Sequence, residues 1–203
     1  AARRGALVQC QQVCHGFLFC RMWQTACGAS CEHQKTIRMQ REIWLIRHGA
    51  TAWSKTGQHT GREDLPLTEL GEQEALNVAR LLNGRAFAHV LCSPLQRARR
   101  TCEVAGYLAQ ARVEPLVMEW DYGEWNGLTR AQIWERIPNW NIWTGEVPGG
   151  ESLQDVAARG RAVLAQLAEW EGDVAIFAHG HFLRIFTTQF LGLEPGMAKN
   201  FAL

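Results

Sequence analysis

One stretch of the chain places an arginine, a histidine and a glycine directly after an apolar segment: Arg47, His48 and Gly49 follow residues 43–46. This pattern is typical of a buried strand that ends in a polar loop, and α/β proteins place binding sites at such strand ends. A histidine has its ordinary pKa close to neutral pH, so it can serve as a nucleophile or a base. The guanidinium offers a fixed fork of donors to phosphate or carboxylate, and the glycine allows close approach. The segment therefore predicts an anion site with a reactive histidine, if other elements bring partners to it.

Two further apolar segments end in polar groups that suit the same chemistry. They are residues 89–92, followed by Ser93 and Arg97, and residues 174–178, followed by His179, Gly180 and His181. Because parallel strands present their carboxyl ends at one edge of a sheet, we expect all three groups to face a common crevice. Two histidines and several arginines there suit a small anion, most naturally phosphate. The alternative is a metal site on His179 and His181, but no cluster of Asp, Glu or His accompanies them at ligand spacing.

The elements that must position these groups alternate between strand and helix patterns. The predicted strands are 43–47, 89–92, 113–118 and 174–178, and the predicted helices are 69–83, 95–109, 129–137, 152–170 and 182–191. Pro115 suits an edge strand better than a central one, because it lacks a backbone N–H. This alternation predicts one α/β domain with a mostly parallel sheet.

Composition excludes several classes of protein. The 203 residues are 47% hydrophobic and 20% charged, with a formal net charge of +1. This balance does not fit a disordered chain, a fibre or a nucleic-acid-binding tail. No apolar run reaches the roughly 18 residues that would span a bilayer. Of the 7 cysteines, only Cys92 and Cys102 lie beyond residue 31, which argues against a secreted domain held by disulfides. We expect a cytoplasmic protein with neither nucleic acid nor membrane as a partner.

The first 38 residues differ from the rest of the chain. They contain no acidic residue before Glu32 and show no sustained helical or strand period. A basic, acid-poor leader fits a transit peptide, and five cysteines with His15 or His33 would fit a zinc module, although no paired C-x-x-C spacing is present. We favour a disordered or artefactual extension that precedes a natural-looking start at Met39. The fold is accordingly expected in residues 39–203.

Together the motifs resemble the histidine phosphatase superfamily, which has the phosphoglycerate-mutase-like fold. The run Arg47-His48-Gly49-Ala50-Thr51 matches its R-H-G-x-T signature. The other matches are the S-x-x-x-R-A-x-x-T motif at 93–101, the second histidine in His179-Gly180, Glu119 in the acid segment before Tyr122-Gly123, and the substrate loop at 57–61 with its exit at 65–71. The resemblance covers about residues 43–203. It implies a three-layer α/β sandwich with a mostly parallel central sheet flanked by helices.

The resemblance also implies a role for each matched residue. His48 would attack phosphorus and form a phosphohistidine, while Arg47, Arg97 and His179 would bind the phosphoryl oxygens. Glu119 would act as general acid and then as general base. Further substrate contacts are expected from Ser54, Thr60, Gly61, Gly180 and His181. For His181, a cap of the last helix is the alternative role. No metal or other cofactor is implied.

Three functions remain open on this fold, and hydrolysis is favoured. Mutases of the family carry a long insertion after the acid segment, whereas here only about 30 residues separate Glu119 from Pro148. We therefore expect a phosphomonoester hydrolase for a small phosphorylated metabolite, with sugar phosphates among the candidates. A phosphoglycerate mutase is the first alternative, and a non-catalytic phosphate-binding protein is the second. A homo-oligomer is left open. Family members usually continue through further strands, so the domain is expected to be truncated at its C-terminus.

Overall fold

The structure, a computed structural model, describes residues 4–12, 18–26 and 41–202, the first two ranges by their backbone only. Within these ranges six strands form one sheet in the order β1-β2-β3-β6-β4-β5. The strands are β1 (Arg4–Gln12), β2 (Leu18–Ala26), β3 (Glu42–Arg47), β4 (His89–Cys92), β5 (Ala111–Val113) and β6 (Val174–Ala178).

Four of these strands run parallel, which confirms the predicted sheet. β6 lies between β3 and β4, and β5 pairs with β4. All five residues of β6 are buried, as expected for a central strand that is covered on both faces. The result is a common edge at which β3, β4 and β6 end together.

Two ranges of the first 38 residues, 4–12 and 18–26, contribute backbone to this sheet. β1 and β2 pair antiparallel with each other, and β2 pairs antiparallel with β3. We expected no regular structure here, and that prediction was wrong for these two ranges. Edge pairing joins backbone N–H and C=O groups, so it needs no apolar period. The zinc and transit-peptide interpretations depend on side chains in residues 1–40, which lie outside the described residues.

Six α-helices surround the sheet in the part of the chain from residue 41 to 202. They are α1 (Ala52–Thr56), α2 (Glu69–Leu82), α3 (Gln96–Val104), α4 (Arg130–Arg136), α5 (Leu153–Ala168) and α6 (Gly180–Leu191). One predicted strand is wrong: of residues 113–118, only Val113 is in a strand, and Pro115–Val117 form a 3-10 turn. Pro115 has no N–H to donate to β4 and starts a turn instead.

Two apolar clusters cover the two faces of the sheet. Side chains alternate along β3: Ile43 and Leu45 belong to one cluster, while Trp44 and Ile46 belong to the other. The first cluster includes buried residues of α5 and α6, and the second includes buried residues of α2 and α3. Because strand side chains alternate between faces, the domain has three layers, as predicted. In the described part of the chain, no helix combines the length and apolar character that crossing a membrane would require.

Candidate active site

Three strand ends meet at one edge of the sheet and position the site. The His48 N–H donates to the Ala178 carbonyl at 3.1 Å, and the Ser93 N–H donates to the Phe177 carbonyl at 3.0 Å. The loops that follow β3, β4 and β6 are therefore held side by side. The predicted common crevice is present.

His48 is held in one orientation by its own neighbour and by Arg97. Its Nδ1 lies 2.7 Å from the Gly49 carbonyl, and since a carbonyl only accepts, Nδ1 carries the proton. Arg97 Nε donates to Nε2 at 3.2 Å. Burial lowers the pKa of His48 well below its ordinary value, and the charges of Arg97 and Arg47 lower it further. The ring is thus neutral, with an unprotonated Nε2.

His179 is fully buried, and its ring centroid lies 5.1 Å from that of His48. Its Nε2 is 2.7 Å from the Ser93 hydroxyl, while the buried Nδ1 has no hydrogen-bond partner. Burial lowers the pKa of His179 well below its usual value, and the charge of Arg97 adds to this. A buried polar atom without a partner is costly, so a ligand group that reached Nδ1 would satisfy it.

Arg97 connects the helix after β4 to the substrate loop. It is fully buried and donates to the carbonyls of Gly61 and Glu63, both at 2.7 Å. Burial lowers its pKa, but an arginine still keeps its charge. Thr101 on the same helix accepts a 3.1 Å hydrogen bond from the Gly49 N–H. α3 therefore fixes both the loop that carries His48 and the loop at 61–63.

Glu119 reaches the site from a segment that two other elements hold. Its carboxylate accepts hydrogen bonds from the N–H groups of Trp120 (2.9 Å), His181 (3.2 Å) and Phe182 (3.0 Å). The last two belong to the first turn of α6, where backbone donors are free to bind an anion. From α5, Arg159 donates to the carbonyls of Leu116 and Met118 at 2.7 and 3.0 Å. The carboxylate is fixed between these elements.

The site opens into a pocket of about 240 Å³. Its walls are formed by Arg47, His48, Ser54, Gly57, Gln58, His59, Thr60, Gly61, Arg97, Glu119, Tyr122, Arg130 and His181. Eight residues predicted as site residues are among them, namely Arg47, His48, Ser54, Thr60, Gly61, Arg97, Glu119 and His181. His179 and Gly180 are not among the lining residues, although the His179 ring is the neighbour of the His48 ring.

Two of the predicted contacts, Ser54 and Gly180, have a structural role. The Ser54 hydroxyl bonds the backbone of Thr51 in a capping box at the start of α1. At Gly180 an added Cβ would lie 3.4 Å from Arg47 Nε, so a small residue there leaves room for the arginine.

Tyr122, His59 and Arg130 were missed as site residues in the sequence. The Tyr122 hydroxyl lies 2.5 Å from His181 Nδ1, and the His59 ring meets the Tyr122 ring edge-on at 4.9 Å. Burial lowers the pKa of His181 to about 4 and raises the pKa of Tyr122 well above its usual value, so both are neutral. Tyr122 and His59 lie within the motifs that match the family, and this position could have marked them as site residues. Arg130 lies near the start of the predicted helix 129–137 and carried no signal.

Comparison with known proteins identifies the family to which this site belongs. Residues 43–203 match the model of the histidine phosphatase superfamily, branch 1. The chain belongs to the histidine phosphatase superfamily. This match agrees with the geometry of two histidines, two arginines and a glutamate at one sheet edge.

Three relatives illustrate the similarity. An acid phosphatase of Mycobacterium tuberculosis is 39% identical over 165 residues, which are 79% of this chain and 81% of the relative. A sedoheptulose 1,7-bisphosphatase of Saccharomyces cerevisiae is 32% identical over 181 residues, 73% of this chain and 67% of the relative. The structure of a mycobacterial glucosyl-3-phosphoglycerate phosphatase superposes with a TM-score of 0.70 at 31% identity, covering 78% of this chain and 82% of that one. With its family and these relatives, the chain is a phosphatase.

Proposed function

We propose that this phosphatase hydrolyses small sugar phosphates through a phosphohistidine on His48. The observation that carries the proposal is the Nδ1 hydrogen bond to the Gly49 carbonyl, which leaves Nε2 unprotonated. The Nε2 lone pair attacks phosphorus while the bond to the leaving oxygen breaks, and Glu119, which carries a proton at the start of this step, gives that proton to the leaving oxygen. Water then attacks phosphorus and gives a proton to Glu119 as the P–N bond breaks. Neutral His48 and inorganic phosphate result.

Charge that develops on the phosphoryl oxygens is matched by Arg47, Arg97 and His179. The Ser93 hydroxyl oxygen accepts a hydrogen bond from the Leu95 N–H at 3.4 Å. The O–H of Ser93 can therefore donate a hydrogen bond to His179 Nε2. In this tautomer Nδ1 carries a hydrogen and becomes the donor that lacks a partner. Preorganised donors of this kind contribute strongly to catalysis. The proposed roles require no metal.

The substrate class is supported by two observations. Two of the relatives named above act, by their names, on a sugar bisphosphate and on a glucosyl phosphoglycerate. The pocket wall beyond Glu119 contains His59, Tyr122 and His181, whose polar atoms and ring faces suit a hydroxylated leaving group. We place the enzyme in the cytoplasm, because Cys92 and Cys102 are free thiols. The catalytic unit of our proposal is residues 39–203.

The test is phosphate release by the variant His48→Asn. We expect the variant to release no phosphate from ribose 5-phosphate and to form no acid-labile phosphoprotein, while the wild type does both and is unaffected by EDTA. His89→Asn is the matched control, because His89 stacks on Trp170 at the far end of β4. Phosphate release by His48→Asn at the wild-type rate would refute the proposal. So would binding without turnover by the wild type, or isomerisation of 3-phosphoglycerate with little release.

A further inference from the structure

Glu119 lies in a segment that forms no helix or strand. Residues 118–122 connect two 3-10 turns. In a helix or a sheet the backbone N–H and C=O groups bond to one another, whereas a buried irregular segment needs partners from elsewhere. Here those partners include two charged side chains, Arg159 of α5 and Glu151 of the loop before α5.

The stretch at 127–129, which follows in sequence, is supported in a different way. The His59 N–H donates to the Leu128 carbonyl at 2.9 Å, and the Gly127 N–H donates back to the His59 carbonyl at 2.8 Å. Gln58 forms an isolated antiparallel bridge with Thr129. This part of the pocket wall is held by bonds between backbones, while the segment before it depends in large part on side chains.

Arg159 bonds the backbone up to and including the residue that carries the carboxylate. Its Nη1 donates to the carbonyls of Leu116 at 2.7 Å and Met118 at 3.0 Å, and its Nη2 donates to the carbonyl of Glu119 at 3.4 Å. A guanidinium presents its donors in a fixed planar fork. The three carbonyls are therefore held in a set relation to one another.

Glu151 bonds the other side of the same segment. Its carboxylate accepts from the Asp121 N–H at 3.0 Å, and its carbonyl accepts from the Trp120 indole N–H at 2.7 Å. Arg159 joins this carboxylate with two hydrogen bonds, of 2.7 Å from Nε and 2.9 Å from Nη2. One ion pair thus connects the backbone before Glu119 to the backbone after it.

The Glu151–Arg159 pair is shielded from solvent and charged. The two side chains are only 16% and 13% exposed. Burial alone would raise the pKa of Glu151, but the hydrogen bonds from Arg159 and from the Asp121 N–H bring this pKa below its ordinary value. A buried pair of this kind often adds little net stability compared with apolar residues of similar size. It does fix directions, because a bidentate guanidinium–carboxylate contact has a specific geometry.

The position of the Glu119 carboxyl group matters most for one kind of substrate. An alkoxide leaving group needs a proton as it departs, whereas a nitrophenolate leaves with little help. A misplacement of about 1 Å can cost a factor of about 10² in rate. Loss of the support for Glu119 should therefore slow alkyl esters selectively.

We propose that Glu151 and Arg159 are positioning residues for Glu119, and that this pair gives the enzyme its capacity to expel sugar and other alkyl alkoxides. The inference rests on the proposed function, because it takes Glu119 as the general acid. Neither residue of the pair is among those that line the pocket. The pair acts on the reaction only through the backbone that carries Glu119.

The experiment compares kcat/KM, which covers the steps up to the phosphohistidine, for ribose 5-phosphate and p-nitrophenyl phosphate. Arg159→Lys keeps the charge but loses the fork, and Glu151→Gln keeps the shape but loses the charge. For ribose 5-phosphate we expect a fall of about 10-fold to 100-fold in Arg159→Lys and a smaller fall in Glu151→Gln. For the nitrophenyl ester both variants should lose far less. Arg161→Lys is the matched control and leaves both values unchanged, because Arg161 is exposed on the same helix and bonds Gln189.

A double variant separates positioning from a loss of folded protein. Adding Arg159→Lys to Glu119→Gln should cost no further activity on ribose 5-phosphate, because the carboxyl group through which the pair acts is already gone. Equal losses on the two esters in both Arg159→Lys and Glu151→Gln would overturn the inference. So would a loss in the double variant that equals the sum of the two single effects.

Amide hydrogen exchange tests the positioning without turnover. The N–H groups of His181 and Phe182 donate to the Glu119 carboxylate, so in Arg159→Lys they should exchange faster relative to the Ile185 N–H of the same helix. This result supports the positioning role even if Glu119→Gln slows both esters equally, which would refute only the general acid of the proposed function. Exchange of His181 and Phe182 that is unchanged relative to Ile185 overturns the inference.

Discussion

At the scale of single residues, protonation is set by short local contacts. The Nδ1–H of His48 donates a hydrogen bond to the carbonyl of the next residue, and Arg97 donates a hydrogen bond to the other nitrogen. Arg97 thus contributes to the neutral state of the ring, and in the proposed mechanism it also binds phosphoryl oxygens. A lysine could not replace it, because the same guanidinium also bonds two carbonyls of the substrate loop.

Glu119→Gln tests the proposed general acid. The amide keeps an oxygen that can accept from the α6 backbone but cannot give a proton to the leaving group. We expect hydrolysis of an alkyl phosphate to slow by about 10²–10⁴-fold, and hydrolysis of a nitrophenyl phosphate, whose leaving group needs little help, to slow far less. Steady-state rates for both esters provide the measurement. The control is Glu124→Gln, an exposed residue of the same segment, and equal losses on both esters would contradict the role of Glu119.

At the scale of elements, the start of α2 packs directly on the loop that carries His48, Gly49 and Ala50. A Cβ added at Gly71 would lie 2.2 Å from the Ala50 carbonyl oxygen, and one added at Gly49 would lie 2.3 Å from the Gly71 carbonyl oxygen. The Thr68 hydroxyl also donates to the Ala50 carbonyl at 3.2 Å. The loop that carries His48 is therefore supported by helix backbone.

Gly71→Ala should separate this helix from the loop. Alanine is the better helix former by about 1 kcal/mol, but contact with backbone atoms outweighs that gain, so we expect a net loss of about 1–3 kcal/mol in unfolding free energy and a lower kcat. Urea unfolding and phosphate release measure the two effects. Gly196→Ala is the control, because an added Cβ there has nothing within 4 Å. Wild-type stability and kcat in Gly71→Ala would show that the loop does not depend on this contact.

The sequence predicted the elements whose patterns are local and missed features that depend on distant contacts. The strand ends at His48, Ser93 and His179 were readable because each follows an apolar run. Arg159 was not, because its target carbonyls lie more than 40 residues away in sequence at Leu116 and Met118. The two leader strands were missed for a related reason, since pairing with β3 is a backbone interaction that leaves no pattern in residue type.

At the scale of the whole molecule, the candidate site places histidines in surroundings that lower their pKa in the folded protein. His48 and His179 lie among apolar strands and arginines, and His181 lines the pocket. In the folded protein burial lowers the pKa of each, to about 4 for His181. The unfolded chain returns these groups to ordinary values near 6.5.

Stability should therefore fall as the pH is lowered below about 6.5. There the unfolded chain binds protons that the folded protein does not, so the unfolding free energy rises with pH by up to about 1.4 kcal/mol per unit for each histidine. The loss through His181 continues down to about pH 4. Urea unfolding at pH 7.5, 6 and 5 measures the slope, and His181→Asn should reduce it by the share of one histidine. A flat profile between pH 7.5 and 5 would contradict the buried neutral state.

The pairing of residues 58–59 with 127–129 has a consequence for how a substrate is chosen. The backbone hydrogen bonds of this wall are made within the protein, and none of them needs a ligand group. A substrate then meets a site of fixed shape, and no binding energy is spent on ordering the wall around it. Discrimination then rests on how well a molecule fits this wall.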